Sequence, residues 1–190
     1  MSNVCVVFQV MFKCYAAGPF FNPMQLAAME SIEQTIAKFT EFDVYKPRDG
    51  SSSARRLNNT IGAGKDPSAT VRHAVFIDNI TNIDDADLVV ALVDDRDVGT
   101  VFEMGYACKA GIPVISFTAH GYGMNLMLAE SVIAHCKGCD QLAAALELFL
   151  IQRANGQVDV TAFDERFKRA NLSEGIEADR SMSLYKQDSK

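Results

Sequence analysis

Two carboxylates, Asp97 and Glu103, follow closely after an apolar run of the sequence. The run Leu88–Val93 predicts a buried strand, and a helix is predicted to begin near Gly99. This order places Asp97 at the carboxyl end of the strand and Glu103 on the first turn of the helix. Open α/β sheets bind their ligands at the carboxyl ends of their strands. The pair therefore predicts a site in which Glu103 could act as an acid, a base or a nucleophile.

Strands and helices alternate along the rest of the chain, and this alternation is typical of a parallel sheet with helices on both faces. We therefore predict an α/β domain with a doubly wound, mostly parallel sheet, a three-layer fold of the flavodoxin or Rossmann type. The predicted strands are 4–16, 42–45, 88–93 and 113–117. The predicted helices are 23–36, one that restarts at 66–67, 100–110, 123–134 and 140–154.

Composition limits the classes of function that remain. With 190 residues, of which 48% are hydrophobic, the chain can bury one sizeable core. Its net charge is -6 and it has no basic run, which argues against binding to nucleic acid or to an anionic membrane. No apolar segment is long enough to span a bilayer. The odd count of 5 cysteines favours reduced thiols, and hence a cytoplasmic location.

Two further motifs are weaker candidates. Cys136 and Cys139 have the spacing of a zinc-ligand pair, but no second pair stands at a suitable distance in the sequence. We therefore predict neither a metal nor a cofactor. Ser51–Arg56 could bind a phosphate through hydroxyl and guanidinium groups. It could also be a solvated part of the long polar loop 47–66, and this is the interpretation that we favour, although both stay open.

Four motifs stand in a characteristic order along the chain: Tyr15–Phe21, Asp97–Ala107, Gly111–Ile115 and Asn125–Met127. In order and spacing they resemble the nucleoside 2-deoxyribosyltransferases over residues 11–135. The similarity extends to the related nucleotide N-glycosidases, which hydrolyse the same kind of bond. Each motif is weak alone, but the four together make the resemblance specific.

The resemblance implies roles for individual residues. Glu103 corresponds to the catalytic glutamate, which attacks the anomeric carbon and forms a covalent deoxyribosyl-enzyme. Asp97 corresponds to an aspartate that holds a sugar hydroxyl, and Tyr15 to a tyrosine that orients the nucleophile. Asn125 corresponds to an asparagine that reaches the sugar in a neighbouring subunit's site, so the resemblance also implies a homo-oligomer. Other residues that it places around the substrate are Gly18, Phe20 and Gly99.

The resemblance also divides the chain. Family members begin their first strand where Met11 stands here. We therefore expect residues 1–10 to be an N-terminal extension and residues 11–155 to form the domain. The remaining residues, 156–190, are expected to form a polar tail that is partly disordered.

One position departs from the family pattern. Members carry an acid on the helix before the third strand, where it contacts the leaving base, but the alignment places Asn79 there, with Asp78 beside it. Either Asp78 contacts the base, or the Asn79 amide recognises it. We favour Asn79 at this point, because it continues the apolar stripe of Val71, Val75 and Ile83.

Three functions follow from these observations. The first is a transferase that moves deoxyribose from a small nucleoside to another free base. The second is a hydrolase that cleaves deoxynucleoside monophosphates at the same bond. The third is a non-catalytic nucleotide-binding protein. In it, Glu103 would only be an acid that the helix dipole stabilises, and Asp97 would only cap the helix.

Overall fold

The computed structural model describes residues 11–49, 59–60, 64–121 and 123–168. These residues form a five-stranded sheet whose neighbouring strands all pair in parallel. The strands are β1 (Phe12–Ala17), β2 (Phe42–Tyr45), β3 (Leu88–Leu92), β4 (Val114–Thr118) and β5 (Ala134–Lys137). The helices are α1 (Pro23–Ile36), α2 (Ala69–Asp84), α3 (Val98–Ala110), α4 (Leu126–Glu130), α5 (Cys139–Ala154) and α6 (Val160–Phe163).

The order of strands across the sheet is β2-β1-β3-β4-β5. It reverses direction at β1, as in doubly wound sheets, which bind ligands at that point. The predicted three-layer α/β fold is confirmed.

Short polar residues determine where the helices begin. Asn22 precedes Pro23, and its side chain accepts a hydrogen bond from the Gln25 amide at 2.9 Å. Ser68 caps α2 in the same way through the Val71 amide. These caps set the first turn of each helix beside the end of the preceding strand or loop.

The core lies on both faces of the sheet, because successive side chains of a strand point to opposite sides. On β1, Cys14 and Ala16 belong to the cluster that α1 and α5 cover. Tyr15 and Ala17 belong to the opposite cluster, together with Ile83 of α2 and with residues of α3 and α4. The sheet is therefore buried on both faces, and Tyr15 lies on the face that α2, α3 and α4 cover.

The structure corrects the predicted helix over residues 123–134. The helix is limited to Leu126–Glu130, and the chain then enters a fifth strand at Ala134. This strand pairs with β4 through four residue pairs, from Ile115↔Ala134 to Thr118↔Lys137. A short apolar run such as Val132–Cys136 has no clear period, so its sequence does not distinguish a strand from a buried helix.

Parts of the predicted organisation lie outside the described residues, namely the extension 1–10, the segment Ser51–Arg56 and residues 169–190. Residues 156–168 of the predicted tail are described, and they include α6 and the helical turn Asp164–Lys168. Phe163 and Phe167 from this segment are buried in the cluster on the α1 and α5 face. In the part of the chain that the structure describes, no helix combines the length and apolarity needed to cross a membrane.

Candidate active site

Tyr15 and Glu103 meet on the face of the sheet that α3 covers. The Tyr15 hydroxyl donates a hydrogen bond to Oε1 of Glu103, with an oxygen–oxygen distance of 2.5 Å. Tyr15 is fully buried in the middle of β1, whereas Glu103 is half-buried. The contact joins residues 88 positions apart in the chain. It therefore exists only once β1 and α3 have packed together.

The position of Glu103 on its helix differs from the prediction. Because α3 begins at Val98, Glu103 is its sixth residue and lies in the second turn, and the first turn contains no acidic residue. The favourable effect of a helix dipole on an acid falls off within the first turn. The dipole alone therefore does not account for an acid at this position, where the side chain points into the protein.

The surroundings of Glu103 favour its neutral form. Burial raises the pKa of the Glu103 carboxyl, the Tyr15 hydrogen bond lowers it and the charge of Asp97 raises it further, to about 7. Burial also raises the pKa of the Tyr15 hydroxyl, and the charge of Glu103 adds to this effect. Tyr15 therefore stays protonated and remains a hydrogen-bond donor, while Glu103 changes charge near neutral pH.

Asp97 caps α3, as its position after β3 allowed. Its Oδ2 accepts hydrogen bonds from the Thr100 amide at 2.8 Å and from the Thr100 hydroxyl at 3.0 Å. Both bonds use the same carboxylate oxygen, so Oδ1 is the atom with which Asp97 could accept a ligand hydroxyl. Capping and ligand binding are compatible roles for this side chain.

A pocket of about 100 Å³ lies beside Asp97 and is also lined by Arg96, Thr100 and Asn125. Ligand pockets usually measure ~300–1,000 Å³, so this one suits only a part of a ligand. Asn125 is exposed and caps α4, with its side-chain oxygen accepting from the Leu128 amide at 3.0 Å. Within one chain, Asn125 therefore lies near Asp97.

The sequence did not single out Asp94 and Arg96, which shape the same edge of the sheet. Buried Asp94 accepts hydrogen bonds from the Thr118 hydroxyl and from the Ala119 amide, and so ties the end of β3 to the end of β4. Arg96 has a φ of 51°, which is uncommon for a residue other than glycine. Arg96 thus adopts a left-handed backbone conformation directly before Asp97. The position of Asp94 at the end of a predicted strand could have pointed to it. The backbone conformation of Arg96 has no corresponding signal in the sequence.

Asp78 and Asn79 differ in what surrounds them. Oδ2 of Asp78 is buried, and no hydrogen-bond partner for it occurs among the described residues. Its charge raises the pKa of Tyr45, after the larger effect of burial and ahead of the charge of Glu103. Asp78 therefore lies close to Tyr45, whose ring stacks on that of Tyr15. Asn79 is half-buried on the same helix, about 100° away around its axis.

The remaining predicted site residues have structural reasons for their identities. A Cβ atom on Gly18 would lie 2.2 Å from Sδ of Met29 and 3.1 Å from Cβ of Leu92, so a side chain there would require the buried Met29 side chain to move. A Cβ atom on Gly99 would lie 3.1 Å from Oδ2 of Asp97. Phe20 is half-buried, and its ring packs 5.0 Å from that of Phe21. Cys136 is buried and Cys139 is half-buried, and both are free thiols.

The opposing effects on Glu103 can be separated by two variants. Tyr15→Phe removes a hydrogen bond that stabilises the charged carboxylate, so we expect the pKa of Glu103 to rise. Asp97→Asn removes a neighbouring negative charge, so we expect it to fall. NMR titration of protein with labelled glutamate carboxyl carbons measures both. Tyr106→Phe is the control, because that hydroxyl bonds Asp84 instead, and shifts in the same direction for the first two variants would contradict the prediction.

Comparison with known proteins agrees with the fold. A family model described as nucleoside 2-deoxyribosyltransferase matches residues 14–163. No curated protein matches the chain in sequence. Among solved structures, the chain is similar to a 2-deoxyribosyltransferase from the psychrotolerant bacterium Bacillus psychrosaccharolyticus. That similarity has 28% identity and a TM-score of 0.56, and it covers 69% of this chain and 90% of that chain.

Two other solved structures have lower identity. A conserved protein from Enterococcus faecalis is 21% identical, with a TM-score of 0.54 over 71% of this chain and 96% of that chain. The CMP N-glycosidase BcmB from Clostridium botulinum is 12% identical, with a TM-score of 0.46 over 71% of this chain and 98% of that chain. The family match spans most of the chain and includes Tyr15, Asp97 and Glu103, and we conclude that the protein belongs to the nucleoside 2-deoxyribosyltransferase family.

Proposed function

We propose that this protein is a nucleoside 2-deoxyribosyltransferase, which moves a 2-deoxyribosyl group from one nucleobase to another through a covalent bond to Glu103. The observation that carries the proposal is the hydrogen bond from Tyr15 to a half-buried glutamate. A half-buried carboxylate with one oxygen engaged by a fixed donor has its second oxygen available in a defined direction. Such a group is suited to attack an electrophilic carbon.

The proposed reaction has two balanced halves. In the first, Oε2 of Glu103 forms a bond to the anomeric carbon, the bond from that carbon to the base nitrogen breaks, and the base leaves with a proton. In the second, a nitrogen of the incoming base forms the new bond, the ester to Glu103 breaks and the carboxylate is restored. Both halves pass through oxocarbenium-like states, which the negative charge of the carboxylate stabilises.

Asp97 supports a nucleoside rather than a nucleoside monophosphate as the substrate. Backbone amides at the start of α3 would attract a phosphate, but the Asp97 carboxylate already accepts the Thr100 amide there. A phosphate beside this carboxylate would meet like charge, whereas a sugar hydroxyl could donate to its Oδ1. In the proposed complex Asp97 therefore binds the sugar hydroxyl.

Asp78, rather than Asn79, is our proposed proton carrier for the leaving base. A carboxyl group can give a proton to the departing base and take one from the incoming base, which an amide cannot do. The buried Oδ2 of Asp78 and its electrostatic effect on Tyr45 support this choice. On α2, Asp78 lies about 20° from buried Val71 around the helix axis, at the edge of the packed face. Asn79 lies nearer the middle of that face, where a side chain packs instead of facing a ligand.

The function is tested with a panel of 2-deoxynucleosides, each incubated with and without a second free base, with products separated by chromatography. We expect the exchanged nucleoside to form faster than free deoxyribose. Glu103→Gln should lose at least about a thousandfold in rate, because the amide cannot form the ester. Glu147→Gln, an exposed acid on α5, is the control and should retain activity.

A 2-fluoro-2-deoxynucleoside should also leave a sugar adduct on Glu103 that mass spectrometry of a peptide digest identifies. Near-native turnover in Glu103→Gln would contradict the assignment of the nucleophile. Free sugar without exchange would instead support the hydrolase.

The proton carrier can be identified with matched variants of adjacent residues. We expect Asp78→Asn to slow transfer by about a hundredfold or more, and most for bases that need protonation before they leave. Asn79→Ala should change the rate little. Kinetics with bases of different basicity measure both effects. A strong loss in Asn79→Ala together with an active Asp78→Asn would reverse the two assignments.

We also propose that the active form is a homo-oligomer with shared sites. Apolar side chains are exposed next to Asn125 and at the start of α3: Val98 (83% exposed), Leu126 (61%) and Met127 (78%). Apolar groups grouped around a site in this way are typical of an interface. A second copy that covers them would bring its own Asn125 towards the pocket beside Asp97.

Assembly is tested by placing a charge on that surface. Met127→Glu should dissociate the oligomer and lower activity, because the charge would be buried in the contact. Ile151→Glu on α5 is the control, since Ile151 is exposed (53%) on the other side of the sheet. Light scattering combined with the exchange assay measures both, and a fully active wild-type monomer would refute the shared site.

A further inference from the structure

Two buried polar atoms near the candidate nucleophile have no hydrogen-bond partner among the described residues. They are the hydroxyl oxygen of Tyr45 and Oδ2 of Asp78. Leaving one such atom unpaired is costly, since it has given up its hydrogen bonds to water and received none in return. Two in one region indicate a place that a polar ligand completes.

Tyr45 is held firmly in that place. It is the last residue of β2 and pairs in register with Tyr15 of β1. The two rings stack, with centroids 5.5 Å apart and planes inclined by 24°. The ring also packs against the core cluster that contains Ile83 of α2. The sheet, the stacking and the core packing therefore hold the ring, and with it the hydroxyl, in one position.

The surroundings of Tyr45 connect it with the reacting groups. Burial raises the pKa of its hydroxyl, followed by the charges of Asp78 and Glu103. The hydroxyl consequently stays protonated and can both donate and accept a hydrogen bond. Tyr45 is thus close enough to feel the charge both of the group proposed to exchange a proton with the base and of the group proposed to attack the sugar.

We propose that Tyr45 is a base-binding residue, and that its hydroxyl and the Asp78 carboxyl together contact one polar edge of the nucleobase. This assignment rests on the proposed function, because it identifies the part of the substrate that this region binds. The sequence did not point to Tyr45, since a tyrosine at the end of a short strand is ordinary.

The chemistry of the two groups fits a nucleobase edge. A hydroxyl and a carboxyl side by side match a ligand that presents a donor next to an acceptor. Adenine and cytosine present an amino group beside a ring nitrogen, and hypoxanthine and uracil present a ring N–H beside a carbonyl. Benzimidazole has a similar ring system to a purine but lacks such an edge. Its binding therefore separates contact with the ring from contact with the edge.

The proposal is tested by binding, which needs no turnover. Adenine, hypoxanthine, cytosine, uracil and benzimidazole are titrated into the full chain by calorimetry without a sugar donor. For the natural base that binds most tightly, Tyr45→Phe should weaken affinity roughly five- to tenfold, the effect of one lost hydrogen bond. Benzimidazole should change by less than twofold. Tyr45→Phe removes one oxygen and keeps the ring that stacks on Tyr15, and Tyr106→Phe is the control that should leave both affinities unchanged.

Equal losses for the natural base and benzimidazole would overturn the proposal, because the hydroxyl would then act on the fold and not on the base edge. It would also be overturned by unchanged affinity in Tyr45→Phe, or by the absence of binding for all four natural bases. The outcome is separable from that of the proposed function. A selective loss of natural-base affinity in Tyr45→Phe, without any nucleoside turnover by the protein, would support the binding site and refute the transferase. Nucleoside turnover together with unchanged base affinity in Tyr45→Phe would support the transferase and refute the binding site.

Discussion

A carboxylate removed from water costs free energy unless a donor replaces the lost hydration, and in this protein the donor is the Tyr15 hydroxyl. Their hydrogen bond constrains much of the structure. Tyr15 must stand on the face of β1 that α3 covers, and Glu103 must stand on the inner side of α3. The register of β1 against β3, which pairs Tyr15 with Val89, fixes the first condition. The start of α3 at Val98 fixes the second. A shift of one residue in either element would turn one of the two partners away.

The same contact limits how reactive the glutamate can be. Burial and the charge of Asp97 raise the pKa of Glu103, while the hydrogen bond from Tyr15 lowers it. A carboxylate with a low pKa would leave the sugar easily but attack it poorly, and one with a high pKa would remain protonated. The result of about 7 lies between these limits near neutral pH. A reversible exchange needs this balance, because Glu103 has to be nucleophile in one half of the proposed reaction and leaving group in the other.

Much of the fold and part of the site could be predicted from the sequence. Alternating apolar runs and capping residues such as Asn22 predicted the order of most elements, because they are local signals. The resemblance pointed to Tyr15 and Glu103, which the structure brings into contact. The strand at Ala134 was missed, because its pairing with β4 is a tertiary contact that a short apolar run does not encode.

The choice between neighbouring residues on a helix was harder to predict than the presence of the helix. The stripe from Val71 to Ile83 correctly indicated the buried face of α2, since both of these residues are buried. The residue proposed to contact the base, Asp78, instead lies at the edge of that face, about 20° from Val71. The edge of the α2 face that borders the candidate site depends on where β2 ends. Tyr45 is the last residue of that strand. The unpaired oxygen of Asp78 became visible only once both elements were placed.

Asp97 shows how one side chain can couple the fold to the proposed chemistry. As the cap of α3 it fixes the residue at which the helix starts, and Glu103 stands six residues further on the same helix. A rise of 1.5 Å per residue separates their Cα atoms by about 9 Å along the axis. The helix thus fixes the spacing between the residue proposed to hold the sugar hydroxyl and the residue proposed to attack the anomeric carbon. Because the cap uses Oδ2, the spacing of the two residues along the helix is set before any ligand binds, and a sugar bound as proposed would not have to impose it.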